Sequence, residues 1–145
     1  MTWQLPDAEH KIFERNPLDA VICQLRFDTI LKVHDRVPDF QDAIRSRFPG
    51  YQESEGIMFE LTEGPPRQRM VRQHRFTAKR EPTIALLGDQ AVSLEYRDHQ
   101  DRATLLRDAR LVSSALETVY SNVSPQRLGL RYVNRIELRQ IGDDL

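Results

Sequence analysis

Along residues 18–27, LDAVICQLRF, apolar side chains recur at every second position. Val21, Cys23, Leu25 and Phe27 fall on one side, Ile22, Gln24 and Arg26 on the other. A period of two predicts a strand with one buried face, and Asn16-Pro17 ahead of it marks a turn. In VPDFQDAIRSRFPGY the period lengthens. Phe40, Ile44 and Phe48 recur at helical spacing, Pro38 and Asp39 fall in the first turn, and Pro49-Gly50 stops the helix. QESEG (52–56) reads as a loop and IMFELTE (57–63) as a second strand, turned by Gly64-Pro65-Pro66. RQRMVRQHRF (67–76) is a third strand, and Lys79 to Pro82 a connection. TIALLG and AVSLEYR form a hairpin around Gly88-Asp89. Residues 101–123 give the longest helical pattern: Leu105, Ala109, Val112, Leu116 and Val119 keep one face apolar, with Asp101 or Thr104 at the cap. Ser124-Pro125 breaks it. RLGLRYVNRIELRQ (127–140) is a last strand, with Leu128, Leu130, Tyr132, Ile136 and Leu138 on one side.

The order strand, helix, four strands, helix, strand predicts an α+β sandwich, a mainly antiparallel twisted sheet with both helices on one face. Residues 17–140 form the domain. Residues 1–16 are an arm, polar apart from Trp3, Leu5, Ile12 and Phe13, whose Trp3 packs on the domain or serves a partner, and 141–145 are a tail.

Composition narrows the class. The chain has 145 residues, 39% hydrophobic and 30% charged, enough apolar content for a buried core and too much for a disordered chain. No run approaches the ~18 apolar residues of a membrane span, and the opening lacks the order of a signal peptide, so no membrane partner is expected. Cys23, the single cysteine, cannot form an internal disulfide, and a reducing cytoplasm is the expected location. The net charge of −1 conceals a gradient: residues 1–66 carry a net −5 and residues 67–145 a net +4. Of 21 basic residues 18 are Arg, which favours planar, bidentate contacts. A nearly neutral chain does not coat nucleic acid indiscriminately, so any polyanion site is local.

The segments NPLDAVICQLRF, VPDFQDAIRSRFPGY and RLGLRYVNRIEL together resemble a sporadically distributed family of prokaryotic proteins of unknown function. The resemblance covers roughly residues 12–52 and 90–138. It supplies no catalytic residues. Members commonly continue beyond the GLRYxNRI segment, which implies either the first half of a two-unit protein or a short member. Their scattered distribution implies a bacterial defence or toxin–antitoxin gene set. The unit strand–helix–four strands–helix is also similar to the repeat of the TATA-binding-protein-like fold, and LGLRY in the last strand echoes CQLRF in the first.

The strongest charged feature is residues 67–80, six basic residues and His74 in fourteen positions without an acid. As a strand it places Arg69 and Arg75 on one face and Arg72 on the other. Such a ladder meets phosphates or an acidic protein surface, or it guards an edge strand against unwanted pairing. Arg26 alternates outward from the first strand, and Arg131 and Arg135 from the last, so neighbouring strands would gather them on an open sheet face. The expected binding residues are therefore Arg26, Arg69, Arg72, Arg75, Arg131 and Arg135. Tyr96 and Tyr132 fall on the core side, which leaves that face without platforms for stacking bases. Catalysis finds little support: Asp98, His99 and Asp101 at one connection, and His34-Asp35 at another, lack a nucleophile or metal-ligand spacing. Cys23 reads as a small core residue, and no Gly-rich phosphate loop is present. The expectation is a non-enzymatic protein-binding module without cofactor or metal, engaging another protein or a second copy. Nucleic acid is the alternative partner.

Overall fold

The computed structural model describes residues 17–60, 64–80, 82–97 and 101–136; of residues 58–60 it describes the backbone alone. The arm, the tail, Leu138 and the Asp98-His99 pair lie outside these residues. The elements are β1 (Leu18–Phe27), a 3₁₀ turn (Leu31–Val33), α1 (Val37–Ile44), β2 (Gly50–Glu60), β3 (Arg67–Thr77), β4 (Thr83–Leu87), β5 (Ala91–Tyr96), α2 (Arg102–Tyr120) and β6 (Pro125–Asn134). This is the α+β order that the hydrophobic pattern predicts.

All described pairings are antiparallel, and the sheet runs β2-β3-β4-β5-β1-β6. Both helices cover one face. Val21 and Phe27 of β1, Phe76 of β3, Ala85 and Leu87 of β4, and Val92, Leu94 and Tyr96 of β5 meet Phe40 and Ile44 of α1 and Leu105, Val112, Leu116 and Val119 of α2. The Phe40 and Phe76 rings stand 5.5 Å apart in a tilted arrangement, a favourable geometry for aromatic quadrupoles.

Local chemistry fixes the ends of the long helix. Asp101 is the cap: its carboxylate accepts from the Thr104 backbone N–H at 2.6 Å and satisfies one of the orphan donors of the first turn. Ser121 and Asn122, at φ 48° and 52°, end α2 in left-handed conformations and swing the chain into β6.

Inside the sandwich lies a buried carboxylate with two arginines against it, Arg47 and, at 3.6 Å, Arg107. Asp108 of α2, fully buried, is gripped by Arg47 through Nε at 3.0 Å and Nη2 at 2.9 Å, and accepts from the Tyr96 hydroxyl at 3.0 Å. Burial, then the Asp108 charge, pushes the Tyr96 hydroxyl far above its ordinary pKa, so it stays a donor. Tyr120 donates to the Val33 carbonyl at 3.0 Å, its pKa pushed up to about 12, chiefly by burial. Arg36 donates to the Val119 carbonyl. Three polar clips thus tie the α1 region to α2 and β5.

Three expectations need correction. QESEG is not a loop: residues 52–56 pair with residues 71–75 of β3. β2 is an edge strand that the helices barely cover, so ladder hydrogen bonds hold it extended without an apolar alternation. The helix expected from Val37 to the Pro49-Gly50 stop ends at Ile44, because Arg45 to Arg47 turn and Gly50 already belongs to β2. The last strand likewise stops at Asn134 within the described residues.

The echoing segments CQLRF and LGLRY lie side by side. Cys23 faces Leu130, Gln24 faces Gly129 and Leu25 faces Leu128.

Candidate functional site

Among the described residues β6 is an edge strand, and its two faces differ in chemistry. On the helix side Leu128, Leu130 and Tyr132 stand opposite Leu25, Cys23 and Val21. α2 packs on β5 and stops short of β6. Leu128, Leu130 and Tyr132 are consequently 72%, 51% and 55% exposed, although their alternation marks them as core-facing. A cleft of about 270 Å³ opens beside Leu128, lined also by Cys23, Leu25, Leu106, Ala109 and Arg110. Cys23 is half-buried there, and burial raises its thiol pKa. A protonated thiol in an apolar wall is a packing group, not a nucleophile.

On the open side the register sets Arg26 opposite Arg127, Gln24 opposite Gly129 and Ile22 opposite Arg131. Gln24 is held by a 3.0 Å hydrogen bond to the Ser93 hydroxyl of β5. These residues line a polar cleft of about 190 Å³. Among the described residues no side chain hydrogen-bonds or ion-pairs with Arg26, Arg127 or Arg131.

The six arginines expected to bind do not form one surface. Arg26 and Arg131 line one cleft as the first and last strands pair, four ladder positions apart. Arg75 shares their side of the sheet, opposite Leu86, but β4 and β5 separate it from β1, a distance of roughly 14 Å at ~4.8 Å per strand. Arg69 is ion-paired with Asp89 at 3.3 Å. Arg72 lies on the helix side, paired with Glu53 of β2 at 2.9 Å. Arg135 lies past the end of β6, where its backbone N–H donates to the Pro17 carbonyl at 2.7 Å. Residues 67–80 are therefore no free basic ladder, because long-range pairing brings Glu53 and Asp89 against it. The arginine that sequence reasoning missed is Arg127. It has the same parity as Arg131, but only the register places it beside Arg26.

One polar cluster lies elsewhere. His74 of β3, buried, is bonded on both ring nitrogens: Nε2 to His34 Nδ1 at 2.8 Å and Nδ1 to the Tyr51 hydroxyl at 3.0 Å. Burial first, then the neighbouring His34, lowers the pKa of His74. His34, read from sequence with Asp35 as a pair in a connection, is thus a partner in a Tyr51–His74–His34 chain. No group of three or more His, Cys, Asp or Glu suited to a metal ion occurs among the described residues. No helix among them is long and apolar enough to cross a membrane.

Comparison with protein-family models, curated proteins and solved structures finds no match to this chain.

Proposed function

We propose that this protein is a non-enzymatic protein-binding module that receives an extended segment of a partner along β6. The observation that carries the reading is the exposure of Leu128, Leu130 and Tyr132 on an edge strand beside an apolar cleft. Unguarded apolar edges are avoided in soluble domains unless something pairs with them. A strand added to β6 satisfies its outer backbone groups, while alternate side chains enter the cleft under α2. Arg110, which lines the cleft, has no ion pair among the described residues, so the fitting occupant alternates apolar residues and carries a carboxylate to meet it. Membership of a defence or toxin–antitoxin gene set, from the family resemblance, belongs to the same proposal.

The test uses a capped ten-residue peptide of alternating Val and Thr with one Glu. Binding to the whole chain, lost in Leu128→Lys and Tyr132→Lys and weakened in Arg110→Gln, supports the reading. Absence of binding overturns it. Self-association abolished by the same Lys variants would instead make a second copy the occupant and overturn the partner chemistry.

Nucleic-acid binding through the open face is the second reading. Arg26, Arg127 and Arg131 favour it. The described residues of that face include no aromatic side chain on which a base could stack.

A further inference from the structure

Arg26 and Arg127 are direct cross-strand neighbours, an arrangement in which like charges destabilise the ladder. Among the described residues no carboxylate ion-pairs with Arg26 or Arg127. Asp28 is engaged by the Gln126 amide at 2.8 Å. Glu95 stands on β5 opposite Ile22, a full strand away from Arg131. Between the Arg26–Arg127 pair and Arg131 lies Gly129.

Glycine in mid-strand costs backbone entropy and marks a bulge, a bend or a close approach. The backbone does not ask for it here. Gly129 has no positive φ. The ladder passes through it in register, its irregularities falling at Leu18/Ala20 and Arg26/Phe27. A Cβ there would meet its nearest neighbour, the Gln24 carbonyl oxygen, at an ordinary 4.0 Å. What the missing side chain leaves is the open floor of the polar cleft.

We propose that Arg26, Arg127 and Arg131 bind a phosphoryl dianion, the diphosphate or phosphomonoester of a small molecule, seated over Gly129. Guanidinium forks match phosphate oxygens in bidentate geometry, and two forks on neighbouring strands neutralise one dianion as they relieve their own repulsion. A nucleic-acid backbone presents singly charged diesters, one per nucleotide, and suits a long basic track better than one cleft lined by three arginines. The site lies on the opposite side of the sheet from the cleft under α2, so it does not depend on the docking proposal.

The experiment titrates the whole chain with inorganic pyrophosphate at low ionic strength, by calorimetry and by amide chemical shifts. Saturable 1:1 binding that shifts the amides of Gln24, Gly129 and Arg131 is expected. Arg26→Gln and Arg127→Gln should each weaken it at least about tenfold. Gly129→Val, which fills the cleft and suits a strand, should abolish binding while leaving thermal stability equal or higher. Arg97→Gln should have no effect. Absence of saturable binding by the wild-type chain overturns the proposal, as does binding that survives Gly129→Val. Binding of a single-stranded oligonucleotide without binding of pyrophosphate also overturns it, in favour of the nucleic-acid reading.

Discussion

Arg47 and Asp108 close a two-pronged ion pair in the interior, with Nε 3.0 Å and Nη2 2.9 Å from the carboxylate oxygens. It links the turn after α1 to the middle of α2, and Tyr96 anchors it to the sheet. Removing one partner of a buried pair leaves an uncompensated charge, whereas replacing both with apolar side chains of similar size is often tolerated. Arg47→Met should therefore cost about 3–5 kcal/mol of unfolding free energy in urea titrations. The double variant Arg47→Met/Asp108→Leu should recover most of that loss.

The Tyr51–His74–His34 chain makes stability depend on pH. The folded-state pKa of His74 is lowered from its ordinary 6.5 by burial and by His34, with Arg72 in the same sense and Glu53 opposing. A group whose folded pKa is depressed contributes stability that is present above its unfolded pKa and lost as pH falls toward the folded value. The protein should lose stability as pH drops below about 6.5. Denaturation at pH 8 and pH 5.5 measures this. His74→Asn, which keeps hydrogen-bonding capacity without titrating, should flatten the difference even if it lowers stability at both pH values.

Asp101 caps α2 through the Thr104 N–H. Asp101→Ala should cost roughly 1 kcal/mol, and Asp101→Asn much less. Thermal melts of the two variants side by side check the order.

The exposed row on β6 should behave unlike the core. Leu128→Ser and Leu130→Ser should change unfolding free energy by no more than about 0.5 kcal/mol, whereas Phe40→Ala, in the core, should cost about 3–5 kcal/mol. If the two serine variants unfold as readily as the Phe40 variant, β6 is a core strand and its apolar row is not a docking surface.

The fold was legible in the sequence where one face of an element is buried. LDAVICQLRF alternates cleanly because α2 and α1 cover one side of β1, and Leu105, Val112, Leu116 and Val119 keep helical spacing because the same sheet lies under them. QESEG was not legible. It is held by its pairing with β3 at a nearly uncovered edge, and backbone hydrogen bonds leave no trace in hydropathy. Asp108 was hidden for the opposite reason: a buried carboxylate looks like a surface one until Arg47, 61 residues away in sequence, is placed against it. The candidate site was half legible. Arg26 and Arg131 followed from parity alone. Arg127 and Gly129 acquired meaning only from the register, and Arg69 and Arg72 lost theirs once Asp89 and Glu53 were brought beside them. Leu128, Leu130 and Tyr132 were correctly placed on the helix side. Periodicity cannot say that α2 stops short of them.

The central claim, that β6 is the docking edge, is tested most directly by amide hydrogen exchange with and without the alternating Val/Thr peptide carrying one Glu. Selective protection of the outward amides of residues 125–134, absent in Leu128→Lys, is the predicted result. Unchanged exchange along β6, or protection confined to the other edge at residues 50–60, would contradict it.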